Sequence, residues 1–353
     1  MKKILGIFRG FPGLGRVVSG VSIMETLTSE YHYKTQIITY LQGNRYLEAK
    51  GYHFPQEATP MDYCSIGLLP TNKMGAYIHE TIIVFQPDAI IIDGEPLIIQ
   101  SIKISHKNIK IITLLNPADV INPNNDKEAM DYFNNLYSMT DLAIIHGIRK
   151  ITPPPQYKNY ISIGTILRKE LFEIKHTPTN NVYCLLGGGT VNTSHQFFES
   201  TIRIGELCML AANSLPSYKM HIVCSSQNIF DALNENAIPD NVVLYNQILN
   251  PERYFTDACL VITRSGRNSL SELAYLGIPT ISFVSGCPYR YHEQKQNVCS
   301  ISNSNIVSAS INIVPEDLTE LCLNMINKGY VKNDFEYGNK RAIEAIISLI
   351  EID

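Results

Sequence analysis

The feature that most constrains this chain is an alternation. Short, continuously apolar runs rich in β-branched residues recur at 4–8, 35–40, 89–92, 109–115, 142–145, 182–186, 220–224, 242–245, 259–263 and 279–284. Longer stretches lie between them, and those at 17–29, 195–212 and 269–277 repeat apolar residues at helical spacing. An apolar run without polar interruption suits a strand covered on both faces, as crossover helices leave it in a parallel sheet. The alternation therefore predicts an α/β chain of doubly wound, parallel sheets.

There are too many runs for one small domain, and 353 residues are enough for two. Thr152-Pro153-Pro154-Pro155 cannot continue a helix or a sheet interior. After one more expected strand at 160–163, the stretch 168–181 is polar, and a new strand then opens into a glycine run. Two Rossmann-like domains are expected, at about 1–166 and 180–335. A final amphipathic helix within 336–353, apolar at 342, 343, 346, 347, 349 and 350, is expected to pack back on the first domain.

Bulk properties exclude several classes. The net charge of −4 offers no basic field for nucleic acid, so no nucleic-acid partner is expected. Eight cysteines without a CxxC pair read as reduced, mostly buried thiols of a cytoplasmic protein. The apolar start at 4–8 is too short for a secretory signal and is interrupted by Arg9. No apolar run is long enough to span a bilayer. Peripheral contact at the inner membrane face stays compatible with the patch at 63–69, which packing explains equally well.

Five segments carry candidate chemistry. Gly10-Phe11-Pro12-Gly13-Leu14-Gly15-Arg16 joins the first strand to the first helix, where a glycine-rich turn offers N–H groups at a positive helix end. Its spacing departs from the usual GxGxxG register, and a tight structural turn is the alternative. Gly187-Gly188-Gly189-Thr190 follows a buried strand in the same way, and a plain turn explains it as well. Arg264-Ser265-Gly266-Arg267-Asn268 sits between a strand and a helix closed by Gly277 and Pro279. Ser265, Gly266 and the following N–H groups suit an anion, with Arg264 and Arg267 beside them. Glu272 lies about 10 Å along that helix, at a reach that suits the vicinal hydroxyls of a ribose. The plainer reading makes Glu272 an exposed helix residue and Ser265 an N-cap. His292-Glu293-Gln294-Lys295-Gln296-Asn297 gathers mixed donors and acceptors in what reads as a loop, as sugar hydroxyls require. Its spacing does not suit a metal. Asp93 and Glu95, in Asp93-Gly94-Glu95-Pro96, stand just past a buried strand as a candidate base or acceptor-binding pair. Neither a Gly-x-Ser-x-Gly elbow nor a Walker lysine is present.

The stretch from Ile262 to Pro279 resembles the donor-binding signature of GT-B glycosyltransferases, and most closely that of family 28 enzymes. The order of the other motifs agrees, and Asp93-Gly94-Glu95-Pro96 is similar to an Asp-x-Glu-Pro stretch of related transferases. The resemblance implies two Rossmann-like domains facing each other across a cleft. It implies a UDP-sugar, or next a dTDP-sugar, as donor substrate, with no separate cofactor and no metal. Glu272 would hold the ribose, and Ser265, Gly266 and Arg264 would meet the diphosphate. Gly188, Gly189 and Thr190 would line the same region, as would Gly13 and Gly15 on the first domain. Ile248 would stand where backbone groups read the base, and His292, Glu293 and Gln294 beside the donor sugar. Many relatives carry histidine where this chain has Arg16, and arginine cannot act as a base near neutral pH. The base then falls to Asp93 or Glu95, and Arg16 is left to meet an anionic acceptor or a phosphate of the donor. The acceptor could be a small molecule such as a natural product, a lipid-linked sugar or a protein side chain. A nucleotide-sugar hydrolase or epimerase, or a non-catalytic nucleotide-sugar binder, is the alternative on the same scaffold.

Overall fold

The structure is a computed structural model, and it describes residues 1–10, 13–52, 72–187, 195–224, 226–246, 251–284, 288–301, 305–331 and 335–351. The chain divides into two compact units, Met1–Lys169 with Tyr337–Asp353, and Glu170–Glu336.

The first unit runs β1 (Lys3–Phe8), α1 (Gly15–Tyr31), β2 (Lys34–Ile38), α2 (Gln42–Ala49), α3 (Asn72–Phe85), β3 (Ala89–Asp93), α4 (Pro96–Ser105), β4 (Lys110–Leu115), α5 (Pro117–Val120), α6 (Lys127–Ser138), β5 (Leu142–His146) and β6 (Tyr160–Ile163). Its strands pair in the order β2-β1-β3-β4-β5-β6, all parallel. The alternating side chains of each strand feed two cores. Ala89 and Ile91 of β3 join Val17, Val21, Ile343 and Ile346 on one face. Ile90 and Ile92 join Ile78, Ile82, Ile99 and Ile102 on the other. Both faces are apolar, which is why the strands read as unbroken apolar runs.

The second unit runs β7 (Asn181–Leu185), α7 (His195–Asn213), β8 (Lys219–Val223), α8 (Gln227–Asn234), β9 (Val242–Tyr245), α9 (Pro251–Asp257), β10 (Ala258–Arg264), α10 (Arg267–Leu276), β11 (Thr280–Val284), α11 (Pro288–Ser300), β12 (Ile306–Ser310) and α12 (Pro315–Lys328). The order is β12-β11-β10-β7-β8-β9, again all parallel. The last helix, α13 (Asn339–Glu351), returns to the first unit, where it packs on α1, β4 and β5 through Ala342, Ile343 and Ile346. Asn339 Nδ2 donates to the Leu167 carbonyl at 2.7 Å, and its Oδ1 accepts from the Leu167 N–H at 2.8 Å. The α/β class and the parallel sheets match the sequence expectation. Strand β12 escaped it, because Ser308 and Ser310 break its apolar run at the sheet edge.

The second unit has one apolar face and one mixed face. Val182, Cys184, Ile222, Leu260 and Ile262 meet Ile204, Leu207 and Cys322 on the first. On the other, Tyr183 of β7 stacks on its register partner His221 of β8, with ring centroids 4.6 Å apart. His221 Nδ1 lies 2.9 Å from the Tyr245 hydroxyl and Nε2 lies 3.1 Å from Asn181 Oδ1. A neutral imidazole satisfies both by accepting at Nδ1 and donating at Nε2. Burial, helped by Lys219 and Arg253, lowers the His221 pKa to about 4.

Between pH 6.5 and 4 the unfolded chain thus binds a proton that the folded unit refuses. Stability should fall as the pH drops through that window. Thermal melts from pH 7.5 to 4.5 should show this slope, and His221→Gln should flatten it while lowering the melting temperature at pH 7.5. Parallel curves for the two proteins would contradict the assignment.

Candidate functional site

In an open parallel sheet, ligands bind beyond the carboxyl ends of the strands, where the strand order reverses and the crossover helices diverge. In the second unit the order reverses between β7 and β10. The turn after β7 begins at Gly187, and the turn after β10 is Ser265–Gly266. Two motifs 77 positions apart in the chain thus stand on adjacent strands. In the first unit the reversal falls between β1 and β3. There the glycine-rich turn leading to Arg16 stands beside Asp93-Gly94-Glu95.

Strand β10 ends at Arg264, whose guanidinium is mostly buried. Arg264 Nη1 donates to Thr201 Oγ1 at 3.0 Å, and the guanidinium lies 4.5 Å from the centre of the Phe197 ring. Arg264 therefore ties β10 to α7. The Ser265 hydroxyl points inward, 2.6 Å from Ser282 Oγ, and donates to the Phe283 carbonyl at 3.0 Å. It neither caps α10 nor faces solvent. The N-cap is Gly266, with φ −75° and ψ 136°, and it makes no side-chain cap hydrogen bond. Any residue can adopt that backbone, and a Cβ at Gly266 would meet nothing within 4 Å. Neither conformation nor packing demands glycine here, and its missing side chain leaves open space before the helix. The first turn of α10 carries no acidic residue, so its positive end is not offset from within the helix. Glu272 follows on the same helix and is 1% exposed, so it is not a solvated surface residue.

Residues 292–297 form part of α11 and not a loop. The polar run misled because His292, Lys295 and Gln296 are simply the exposed side of a helix. Gln294 is buried, Glu293 is half-buried, and α11 packs on α10 and β11. Asn297 Nδ2 donates to the Ser265 carbonyl at 3.4 Å, which links this helix to the turn after β10. Gly188, Gly189, Thr190 and Ile248 lie outside the described residues, as does the patch at 63–69.

The first unit places a charged cluster at its reversal point. Gly13 precedes α1 and Gly15 begins it. Arg16 Nη1 donates to Asp93 Oδ1 at 2.5 Å, and Nη2 donates to both Asp119 oxygens at 2.9 Å. Burial opposes these charges, but Asp119 and Asp93 outweigh it and hold the Arg16 pKa well above its ordinary value. Burial raises the Asp119 carboxyl, but the attraction and hydrogen bonds of Arg16, with the Asn116 N–H and Arg9, together hold it below its ordinary range. Arg16 is thus matched by two carboxylates of its own unit. Arg9 donates to the Gly94 carbonyl, and its Nε lies 3.7 Å from Glu95 Oε1. The Tyr40 hydroxyl donates to the same Oε1. Glu95 is 2% exposed, and burial pushes its carboxyl up to about 7, against the pull of Arg9 and Tyr40. Glu95 Oε2 accepts no hydrogen bond among the described residues.

Residues 211–345 match the family model of the glycosyltransferase family 28 C-terminal domain. No curated protein matches the chain by sequence. Among solved structures the chain is similar to MurG of Acinetobacter baumannii, at 12% identity and a TM-score of 0.57, covering 99% of this chain and 100% of that one. It is similar to the glycosyltransferase SnogD of Streptomyces nogalater at 13% identity and a TM-score of 0.58, covering 99% of each chain. A UDP-GlcNAc 2-epimerase of Neisseria meningitidis, solved with UDP-GlcNAc, aligns at 11% identity and a TM-score of 0.62, over 98% of this chain and 100% of its own. The match over residues 211–345 and the fold shared with these structures support a family 28-like glycosyltransferase of GT-B fold.

Three residues of the first-unit cluster escape the sequence reading: Arg9, Tyr40 and Asp119. Arg9 and Tyr40 looked like strand ends. Asp119 had a readable signal, since Asn116-Pro117-Ala118-Asp119 forms a capping box after β4. What no local pattern could show is that β1, β3 and β4 are neighbours.

If Glu272 holds a nucleotide ribose, Glu272→Ala should weaken UDP binding by roughly tenfold to a hundredfold, the worth of a hydrogen bond to a charged group. Gly266→Ala should fold normally, because its Cβ enters empty space, yet also weaken UDP. Calorimetric titration of both variants checks this, and unchanged affinity in Glu272→Ala would remove the assignment.

Proposed function

We propose that this glycosyltransferase moves a sugar from a UDP-sugar, or failing that a dTDP-sugar, to an acceptor hydroxyl or amine, with inversion and without a metal. The observation that carries the donor half is the second-unit reversal point. There an uncapped helix start with open space before Gly266 leads to the buried carboxylate of Glu272. The helix end would stabilise the diphosphate as it departs, and Glu272 would take the ribose hydroxyls. Gln294 and Glu293, on the helix bonded to the Ser265 carbonyl, are the proposed contacts of the sugar, and His292 stands at its exposed side. Gly188, Gly189, Thr190 and Ile248 keep the roles that the family resemblance gives them.

The acceptor half rests on the first unit. An in-line displacement needs a base with a pKa near the working pH. Glu95 suits that need, with a carboxyl near 7 and one oxygen free of hydrogen bonds among the described residues. Asp93 is the lesser choice, since its Oδ1 is held by Arg16. Arg16 in turn is a structural counter-charge in this scheme and not an anion receptor. The proposed acceptor is a natural product, a lipid-linked sugar or a protein side chain, with no nucleic acid involved. No helix among the described residues is long and apolar enough to cross a membrane. Location in the cytoplasm, with peripheral contact at the inner membrane face, is part of the proposal.

An epimerase or hydrolase is the second reading, favoured by the UDP-GlcNAc 2-epimerase structures that share the fold. UDP release from UDP-sugars, with and without an acceptor panel, separates the two. Acceptor-dependent release supports transfer. Full release without acceptor, or conversion of the sugar with no release, supports the second reading. Tight UDP binding with neither would mark a binding protein. Glu95→Gln should lower acceptor-dependent turnover by roughly a hundredfold to ten-thousandfold with UDP affinity kept. Full turnover in Glu95→Gln would eliminate it as the base.

A further inference from the structure

The turn that follows β2 is built in an unusual way. Leu41 has φ 50° and ψ −120°, a conformation that glycine adopts readily and leucine does not. Its side chain is 43% exposed, so core packing does not impose the backbone. Gly10, just past β1, lies flat against this turn. A Cβ there would sit 1.8 Å from the Tyr40 carbonyl oxygen and 3.0 Å from the Gly43 nitrogen. The Gly43 N–H donates to the Tyr40 carbonyl at 2.9 Å. On the other side of the turn, a Cβ at Gly43 would fall 2.1 Å from Thr39 Oγ1. Two glycines and one strained leucine therefore fix the main chain of Tyr40.

The consequence is at the hydroxyl. Tyr40 is buried, and its hydroxyl donates to Glu95 Oε1. Strain held in a fold marks a place where the surroundings over-determine the backbone, and such places cluster at functional sites. We infer that Tyr40 is a positioning residue for Glu95, held on Oε1 by the strained turn so that Oε2 is the oxygen left to take a proton. The inference rests on the reading of Glu95 as the base. The other groups facing the carboxyl are Arg9 at the end of β1, Arg16 of α1 and Asp93 of β3, with Asp119 of α5 acting through Arg16. Arg9 and Arg16 favour the carboxylate and Asp93 disfavours it. Among the described residues, Tyr40 is the neutral donor of this set. Its hydrogen bond favours the ionised form, so it lowers the pKa that burial has raised.

The test is the titration of Glu95 in Tyr40→Phe. The full chain, carrying ¹³C-carboxyl glutamate, is followed by NMR against pH, with Glu95→Gln assigning the signal. Tyr40→Phe should raise the Glu95 titration by about one unit. The acidic limb of the pH profile for acceptor-dependent UDP release should move up by the same amount, with UDP affinity unchanged. Leu41→Gly, which relaxes the turn while keeping the hydroxyl, should shift the titration upward by a smaller amount. An unmoved titration in Tyr40→Phe overturns the inference. An unmoved titration in Leu41→Gly removes the strained turn from it. A shifted titration with full turnover in Glu95→Gln upholds the coupling and overturns the base reading, so the two failures are distinguishable.

Discussion

The structure depends on one constraint: each parallel sheet reverses its strand order once. Parallel strands need crossover helices, and at a reversal two consecutive crossovers leave on opposite faces. The carboxyl ends there stay uncovered by the sheet's own connections. In the second unit this brings Gly187 and Gly266 to adjacent strands, and in the first it brings the Arg16 turn to Asp93 and Glu95. Both sets of candidate residues owe their meeting to topology, and the side chains only refine it.

The two reversal points are equipped in opposite ways. The second-unit site leaves space and partial positive charge: an uncapped helix start and a glycine whose missing side chain faces open room. The first-unit site is filled with its own charges. Two guanidiniums and three carboxylates lie together, paired as Arg9 with Glu95 and Arg16 with Asp93 and Asp119, and buried charge of that kind persists only when paired. Arg16 is therefore not left as an unmatched cation. Its neighbours Asp93 and Asp119 are its counter-charges, and Glu95 is the member whose proton is finely balanced.

Much of the fold was legible because the strands are covered on both faces, by apolar residues on both in the first unit and on one in the second, which writes most strands as unbroken runs. Strand β12 was not legible, because an edge strand needs only one good face. Residues 292–297 read as a loop because composition records polarity but not whether it lies on one side of a helix. At the site, Ser265 and Glu272 were visible as motif positions, but their orientation was not. The hydroxyl of Ser265 turns into the sheet, and Glu272 is withdrawn from solvent. Tyr40 was invisible for a different reason. Its role depends on the backbone of Leu41 and on the approach of Gly10, and neither leaves a local sequence pattern.

The central claim is that the β7/β10 reversal point receives a nucleoside diphosphate. A crystal structure of the protein grown with UDP tests it most directly. The diphosphate should lie before Gly266 at the start of α10, with the ribose hydroxyls on the Glu272 carboxylate. UDP bound instead at the Arg16–Asp93 edge of the first unit, or absent from both at millimolar concentration, would contradict it.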